Sequence, residues 1–151
     1  MKVLIDTNII LDLILQREQV DVASKLIALL RNQNHEICMT EGGFYGMIYT
    51  VDNYLRKVMG LKKSERTNTL RSIMAQVLNF FQVAGHDNKS LLEGVNNMAF
   101  TDIEDSCQYQ AAIRIGCSHL LTFNIKDYFI GEDAPVKVLS PQQYLNLNVS
   151  G

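Results

Sequence analysis

Five acidic or amide side chains either follow a segment whose apolar run predicts a buried strand or open a helix that leads into one. They are Asp6, Asp102, Asp105, Asn124 and Asp127. Clustered carboxylates repel one another, and the repulsion is relieved by proton uptake or by a bound cation. Because the ligand atoms are all oxygens, with no His or Cys beside them, the set favours a hard cation such as Mg²⁺ or Mn²⁺. Such an ion activates water and stabilises charge on a phosphoryl group, which indicates phosphodiester hydrolysis.

Each of these residues also has a structural interpretation. Short polar residues such as Asp6, Thr7 and Asn8 cap helices. A capping box would account for Asp102 with Asp105, or for Thr101 with Glu104, and a turn would account for Asp127. Two other acid-site folds fit poorly, since aspartyl phosphatases need Asp-x-Asp after the first strand and response-regulator receivers need an acidic pair there.

The elements that must position these residues alternate along the chain. The predicted strands are 2–5, 36–40, 80–84, 119–122 and 136–139. The predicted helices are 9–15, 20–31, one beginning near Phe44, 64–79, 88–98, one beginning at Thr101 or Asp102, and one beginning at Pro141. This alternation predicts an α/β fold with three layers, α/β/α, around a mostly parallel sheet of about five strands. In such sheets the functional crevice lies outside the carboxyl ends of the strands, where Asp6 and Asn124 fall.

The overall composition is that of one globular domain spanning residues 1–151. The chain is 47% hydrophobic and 20% charged, without repeats or long Pro- and Gly-rich segments. We expect neither a signal peptide nor a membrane span, because no apolar run is long enough, and hence a cytoplasmic protein. The odd number of cysteines without a C-x-x-C pair indicates reduced, buried thiols.

The distribution of charge is uneven. The formal net charge of −2 argues against broad electrostatic binding to nucleic acid. However, the segment 56–71 is rich in Lys and Arg and could face RNA phosphates or be a solvated surface. The candidate RNA contacts are Arg56, Lys57, Lys62 and Lys63.

Four segments, in this order and spacing, resemble the PIN-domain family, which includes the VapC-type ribonuclease toxins. They are Val3–Asp12, Phe100–Ala112, Leu120–Phe129 and Val138–Pro141, the last followed by Tyr144 and Leu145. The resemblance implies a Mg²⁺- or Mn²⁺-dependent endoribonuclease, often the toxin of a toxin–antitoxin pair, with a small antitoxin as partner and frequent homodimers. Asp6 and Asp105 match the family's first and third acids. Asp102 matches an extra acid of one branch, and Asn124 falls where some members carry a fourth acid. The resemblance thus gives Asp6, Asp102 and Asp105 as the catalytic and metal-binding set, supported by Asn124, Asp127, Glu41 and Thr7.

One position departs from the family pattern. The second acid is usually a Glu on the helix after the second strand, and Gly46 stands at that position. Glu41 is the nearest acid, at the start of the helix, where favouring the helix dipole also explains it. Asp102 is expected to compensate by sharing a face with Asp105. The alternatives are a catalytically impaired PIN-like module that binds RNA or a protein partner, and a purely structural interaction domain.

The helix that follows the second strand carries two aromatic residues outside its apolar stripe. Tyr45 and Tyr49 lie one helical turn apart. Aromatic residues on a second face are typical of a protein interface. Ordinary core packing explains them equally well.

Overall fold

The computed structural model describes residues 1–128 and 130–149; Phe129, which ends one of the four segments above, lies outside them. Within the described residues, one sheet of five parallel strands has the order β3-β2-β1-β4-β5. Its strands are β1 (Lys2–Ile5), β2 (Glu36–Thr40), β3 (Gln82–Ala84), β4 (His119–Leu121) and β5 (Lys137–Leu139). The predicted α/β class and parallel sheet are therefore confirmed.

Helices cover both faces of the sheet, as the predicted three layers require. They are α1 (Thr7–Ile14), α2 (Val20–Asn32), α3 (Glu41–Lys57), α4 (Lys63–Phe80), α5 (Asn88–Asn96), α6 (Ile103–Arg114) and α7 (Pro141–Val149), with a 3₁₀ turn at Ile125–Asp127. Successive side chains of β1 point to opposite faces. Val3 and Ile5 join a core formed with α1 to α4 and α7. Leu4 joins a second core, in which Tyr109 of α6 packs.

The strand register brings the carboxyl ends of neighbouring strands to one edge of the sheet. Ile5 pairs with Leu121, and the N–H of Asp6 donates to the carbonyl of Leu121 at 2.9 Å. On the other side, Thr40 pairs with Ala84. Because the strands are parallel, β1, β2 and β4 all end at the same edge of the sheet. Asp6 follows β1 there, and Thr40 and Leu121 are the last residues of β2 and β4.

Element boundaries differ from the predictions in places where helices extend further than the apolar pattern. Helix α3 begins at Glu41 rather than near Phe44, because the hydroxyl of Thr40 caps it by accepting the N–H of Gly43 at 3.0 Å. Strand β3 begins at Gln82 rather than at Phe80. Phe80 is the last residue of α4, and the N–H of Phe81 still donates to the carbonyl of Val77 at 2.9 Å.

The three cysteines are free thiols. Cys38 and Cys117 are buried free thiols, as predicted, whereas Cys107 is only partly buried. Among the described helices, none combines the length and the apolar character that crossing a membrane requires.

Candidate metal centre at the carboxyl edge of the sheet

Asp6 lies where β1 ends and α1 begins, and its carboxylate is held from two sides. Its Oδ2 accepts a hydrogen bond from the hydroxyl of Thr122 at 2.8 Å, across the β1–β4 pair. Its Oδ1 accepts the N–H of Asn8 at 3.3 Å, which caps α1. The residue is 8% exposed. The capping interpretation is thus confirmed, and it fixes the carboxylate at the sheet edge without burying it completely.

Asp105 lies in the first turn of α6 and is held by a chain of two hydrogen bonds. The hydroxyl of Tyr128 donates to Asp105 Oδ1 at 3.3 Å. That hydroxyl in turn accepts from Gln108 Nε2 at 2.8 Å. Because Tyr128 and Gln108 are both buried, the carboxylate has a defined position at the surface.

The carboxylates of this edge act on one another electrostatically. The pKa of Asp105 is raised to about 6, first by burial and then by the negative charges of Asp102 and Asp6. The hydrogen bond from Tyr128 opposes the shift, and the charge of Asp127 adds to it. Asp105 therefore lies in the negative field of three other acids, Asp102, Asp6 and Asp127.

Asp102 precedes α6 and is exposed. Its Oδ1 accepts the N–H of Asp105 at 3.0 Å, so it is the N-cap of the helix. Their spacing of three residues predicted that Asp102 and Asp105 share one face of the helix. The structure shows instead that Asp102 stands before the first turn, adjacent to Asp105 through this cap.

The remaining predicted residues, Asn124, Asp127, Thr7 and Glu41, lie on different elements around the carboxyl edge. Asn124 is exposed, with its N–H bonded to the Thr122 hydroxyl at 3.1 Å, and Asp127 closes the following 3₁₀ turn. Thr7 packs against Gly43, at the start of α3. Glu41 extends towards the residue that follows β3, since a Cβ added at Gly85 would lie 3.5 Å from its Oε2. Its Oε1 accepts the hydroxyl of Tyr45 at 3.5 Å.

Glu41 is also electrostatically coupled to His86. Burial is the main cause that lowers the pKa of His86, followed by the positive charge of Arg114. The negative charges of Asp87 and Glu41 oppose that shift. Glu41 therefore lies beside Gly85 and His86, the two residues that follow β3.

The candidate RNA contacts are far from the acids along the chain and in the fold. Arg56 and Lys57 close α3, whereas Lys62 and Lys63 lie at the start of α4. The structure does not bring them to the carboxyl edge of the sheet.

Three residues that hold the acids were not singled out from the sequence as site residues. They are Thr122, Gln108 and Tyr128. All three lie within the segments that resemble the PIN-domain family, and Gln108 also lies one helical turn after Asp105, so their positions in the sequence could have indicated them. Their role became visible only from the hydrogen bonds.

The donor set was compared with the needs of a metal ion. Among the described residues, no three His, Cys, Asp or Glu side chains come together in a way that could hold a metal ion by themselves. Mg²⁺ usually binds through one or two carboxylates and keeps several waters. The electrostatically coupled Asp6 and Asp105 fit that mode, whereas a cage of three carboxylates is not preformed.

Gly46 leaves open space where the family pattern has an acid. A Cβ added at Gly46 would meet no atom within 4 Å. Gly46 is exposed on α3, and its carbonyl accepts the hydroxyl of Thr50 at 3.0 Å. The position is therefore free of steric obstruction, and no side chain uses it.

Comparison with known proteins gives one family and several structures of the same fold. A family model described as a PIN domain matches residues 2–126. No curated protein matches the sequence. The similar solved structures include three at 16–18% identity, a level at which the likeness shows the fold.

A toxin–antitoxin complex from Klebsiella pneumoniae has a TM-score of 0.63 at 18% identity, covering 92% of this chain and 97% of that chain. VapBC2 from Rickettsia felis, bound to a DNA fragment from its promoter, has a TM-score of 0.64 at 18% identity, covering 93% and 98%. VapBC-1 from nontypeable Haemophilus influenzae has a TM-score of 0.64 at 16% identity, covering 94% and 99%.

Proposed function

Because this chain belongs to the PIN-domain family, whose members are generally nucleases, we propose that it is a metal-dependent endoribonuclease. The observation that carries the proposal is the meeting of Asp6 and Asp105 at the carboxyl edge of the sheet, where each carboxylate is held by a hydrogen bond, from Thr122 and from Tyr128. Burial first, and then the negative charges of Asp102 and Asp6, raise the pKa of Asp105 to about 6. Such a concentration of carboxylates is costly unless a cation offsets it. In the proposed nuclease, binding of the metal ion relieves the repulsion between these carboxylates.

The residues of this edge have separate tasks in the proposed reaction. Asp6 and Asp105 hold Mg²⁺ or Mn²⁺, and Asp102, Asn124 and Asp127 orient waters around them. When bound, the ion lowers the pKa of a water and offsets charge on the phosphodiester. Thr122 and Tyr128 keep the two carboxylates in place through the hydrogen bonds at 2.8 and 3.3 Å.

The proposed biological role is that of a cytoplasmic toxin with a small antitoxin as partner. The three similar structures are of toxin–antitoxin complexes or VapBC proteins. This chain also has an apolar groove of about 320 Å³ between α1 and α4, lined chiefly by Ile10, Leu13, Ile14, Ile73, Val77 and Phe80. An amphipathic partner segment would bury such a groove.

Co-expression of this chain with the product of the adjacent reading frame tests the assignment of the groove. Leu13→Asp places a charge in the apolar groove and should weaken the complex. A complex of unchanged affinity would refute the groove assignment.

Cleavage of a labelled RNA in the presence of Mg²⁺ tests the proposed activity. Asp6→Ala and Asp105→Ala should each lower the rate about a hundredfold or more, since each removes charge that holds the metal. Asp21→Ala, an exposed acid on α2, is the control and should leave the rate unchanged. Cleavage that survives Asp6→Ala in a nuclease-free preparation would sink the assignment.

A second candidate function follows from Gly46. A PIN-like module without its second acid could bind RNA or a protein partner without cutting. On this alternative the wild type binds Mn²⁺ weakly and cleaves poorly, although the rest of the edge is intact. The open space beside Gly46 makes the alternative testable by restoring the acid.

Gly46→Glu should raise metal affinity and cleavage rate if the edge is a metal site that lacks one ligand. A Cβ added at Gly46 meets no atom within 4 Å, so the helix accepts a side chain there, at the position where the family pattern has its acid. Gly46→Gln is the matched control, with the same shape and no charge. Equal effects of Glu and Gln, measured by Mn²⁺ titration and RNA cleavage, would show that the position does not serve the metal.

A further inference from the structure

The loop between α3 and α4 forms the tip of a helical hairpin that carries a concentration of positive charge. Residues 56–71 have a formal net charge of +5 in a chain whose overall charge is −2. The two helices run antiparallel: the N–H of Leu61 donates to the carbonyl of Leu55 at 3.0 Å, and Arg66 Nε pairs with Asp52 Oδ1 at 3.0 Å. The charge is therefore concentrated at one end of the antiparallel pair of helices α3 and α4.

Part of this charge is already used within the fold. Arg66 is paired with Asp52, and Arg56 Nη2 donates to Asn53 Oδ1 at 2.9 Å. Over residues 1–128 and 130–149, the ion pairs engage Arg17, Arg66 and Arg114. The cations that line the shallow groove at the start of α4 are not among them. That groove, here called the tip groove, is lined by Lys62, Lys63, Ser64, Thr67, Asn68 and Arg71.

The composition of the tip groove suits phosphate oxygens. Lys62, Lys63 and Arg71 are exposed and supply charge, and Ser64 and Asn68 add neutral hydrogen-bond donors between them. Contacts to a nucleic-acid backbone are made by this mixture of basic, hydroxyl and amide side chains.

The tip groove is separate from the acidic edge. Helix α3 begins against Thr7, beside Asp6, and its 17 residues span about 25 Å before the hairpin turns. At the other end, Asp6, Asp102, Asp105 and Asp127 create a field that repels a polyanion before any metal binds. The affinity for RNA must therefore come from cations elsewhere, and the tip groove offers them.

We infer that the tip groove binds the phosphate backbone of the RNA at a distance from the acidic edge, an inference that rests on the proposed function for its substrate class. One RNA molecule long enough, or folded, to reach both ends would contact the groove and the acids together. The tip groove provides most of the affinity for RNA and the salt dependence of binding, whereas Asp6 and Asp105 are required for cleavage.

The test measures RNA binding without cleavage. A fluorescent single-stranded RNA of about 20 nucleotides, longer than common single-strand site sizes, is titrated in EDTA at several salt concentrations. The tip variant carries Lys62→Ser, Lys63→Ser and Arg71→Ser. The control variant removes the same charge from exposed lysines outside the groove: Lys25→Ser, Lys89→Ser and Lys137→Ser.

The expected result is a change in salt dependence that only the tip variant shows. Each lost phosphate contact reduces the slope of log affinity against log salt by about 0.7, so three contacts reduce it by about 2. A Lys62→Arg, Lys63→Arg variant keeps the charge and should keep the slope. An unchanged slope in the tip variant, an equal change in the control, or no RNA binding by the wild type would each overturn the inference.

Two further readouts separate this inference from the proposed function and from an acidic protein partner. If the wild type cleaves RNA while the tip variant keeps its slope, the nuclease stands and the inference fails. If the slope falls in the tip variant and nothing is cleaved, the inference stands and the nuclease fails. Polyglutamate that displaces the RNA as well as unlabelled RNA of equal charge would indicate an acidic protein segment and overturn the inference.

Discussion

The Asp105 carboxyl group is placed where its charged form is disfavoured. Burial and the neighbouring charges of Asp102 and Asp6 raise its pKa to about 6, against 3.8 for a free carboxyl group. The hydrogen bond from Tyr128 offsets only part of that effect. A buried carboxyl group with a raised pKa beside other acids is a candidate functional residue, and the proposed metal site gives Asp105 such a role.

This shift predicts how the stability of Asp105→Asn depends on pH. Because the folded-state pKa lies above the unfolded value, the folded protein binds the extra proton between pH 3.8 and about 6, and the wild type loses stability as pH rises through that window. Asn removes the penalty, so Asp105→Asn should be more stable than the wild type by on the order of 1 kcal/mol at about pH 8, after allowing for partial solvent screening, and similar at about pH 4.

Urea unfolding of metal-free protein at the two pH values measures this difference. Asp21→Asn, an exposed acid on α2, is the control and should show little change at either pH. A variant that is less stable than the wild type at the higher pH would mean that the carboxylate is not under electrostatic strain.

At the residue scale, the acids were predictable from the sequence and their supports were not. Asp6 and Asp105 were singled out by their places at a strand end and a helix start, together with the resemblance to the PIN-domain family, and their role as metal ligands stays a prediction. Thr122 reaches Asp6 across 116 residues of chain, and Tyr128 reaches Asp105 across 23. Such contacts depend on strand pairing and on side-chain direction, which local patterns do not encode.

At the scale of elements, the position of Asp105 depends on how closely α6 approaches α5. A Cβ added at Gly94 would lie 2.7 Å from the sulfur and 2.9 Å from the Cα of Cys107. The hydroxyl of Ser106 donates to the carbonyl of Gly94 at 2.7 Å in the same contact. Only a glycine allows this approach, and α6 carries Asp105 in its first turn.

Gly94→Ala should therefore lower the free energy of unfolding by about 1–3 kcal/mol, because the new methyl group meets backbone that cannot move independently. Gly46→Ala is the matched control: it lies inside a helix with open space, so it should add up to about 1 kcal/mol. Thermal unfolding of both variants measures the difference. Destabilisation by both, or by neither, would contradict the role of the α5–α6 contact.

Element types were predictable because the apolar spacing of most segments is unambiguous. Strand β2 was predicted at its observed bounds, Glu36–Thr40. The prediction for β3 was wrong at its start, because the apolar pair Phe80 and Phe81 suits a strand as well as a helix end. A backbone hydrogen bond to Val77 decides that boundary, and periodicity alone does not reveal it.

At the scale of the whole molecule, alternating strands and helices predicted the parallel sheet and its carboxyl edge. The same alternation gives no information on which outer surfaces remain uncovered. Tyr45 and Tyr49 of α3 are 62% and 72% exposed in the single chain, so the core-packing interpretation of these residues is wrong. Their interface interpretation stays a prediction.

We predict that a second copy of the chain covers these tyrosines. Tyr45→Ser with Tyr49→Ser should shift a dimer towards monomer, because the exchange removes two exposed aromatic side chains from the contact. Met98→Ser is the control, since Met98 is 93% exposed on another part of the surface. Light scattering over a concentration series measures the mass, and a wild type that is monomeric throughout would contradict the prediction.

The central claim is that Asp6 and Asp105 together hold a divalent metal ion. Calorimetric titration of Mn²⁺ into metal-free protein, at a pH above the Asp105 pKa of about 6, tests it directly. We predict saturable binding by the wild type that is lost in both Asp6→Asn and Asp105→Asn and that weakens as the pH falls below that pKa, where protons compete. No binding at millimolar Mn²⁺, or binding that both variants retain, would contradict the claim.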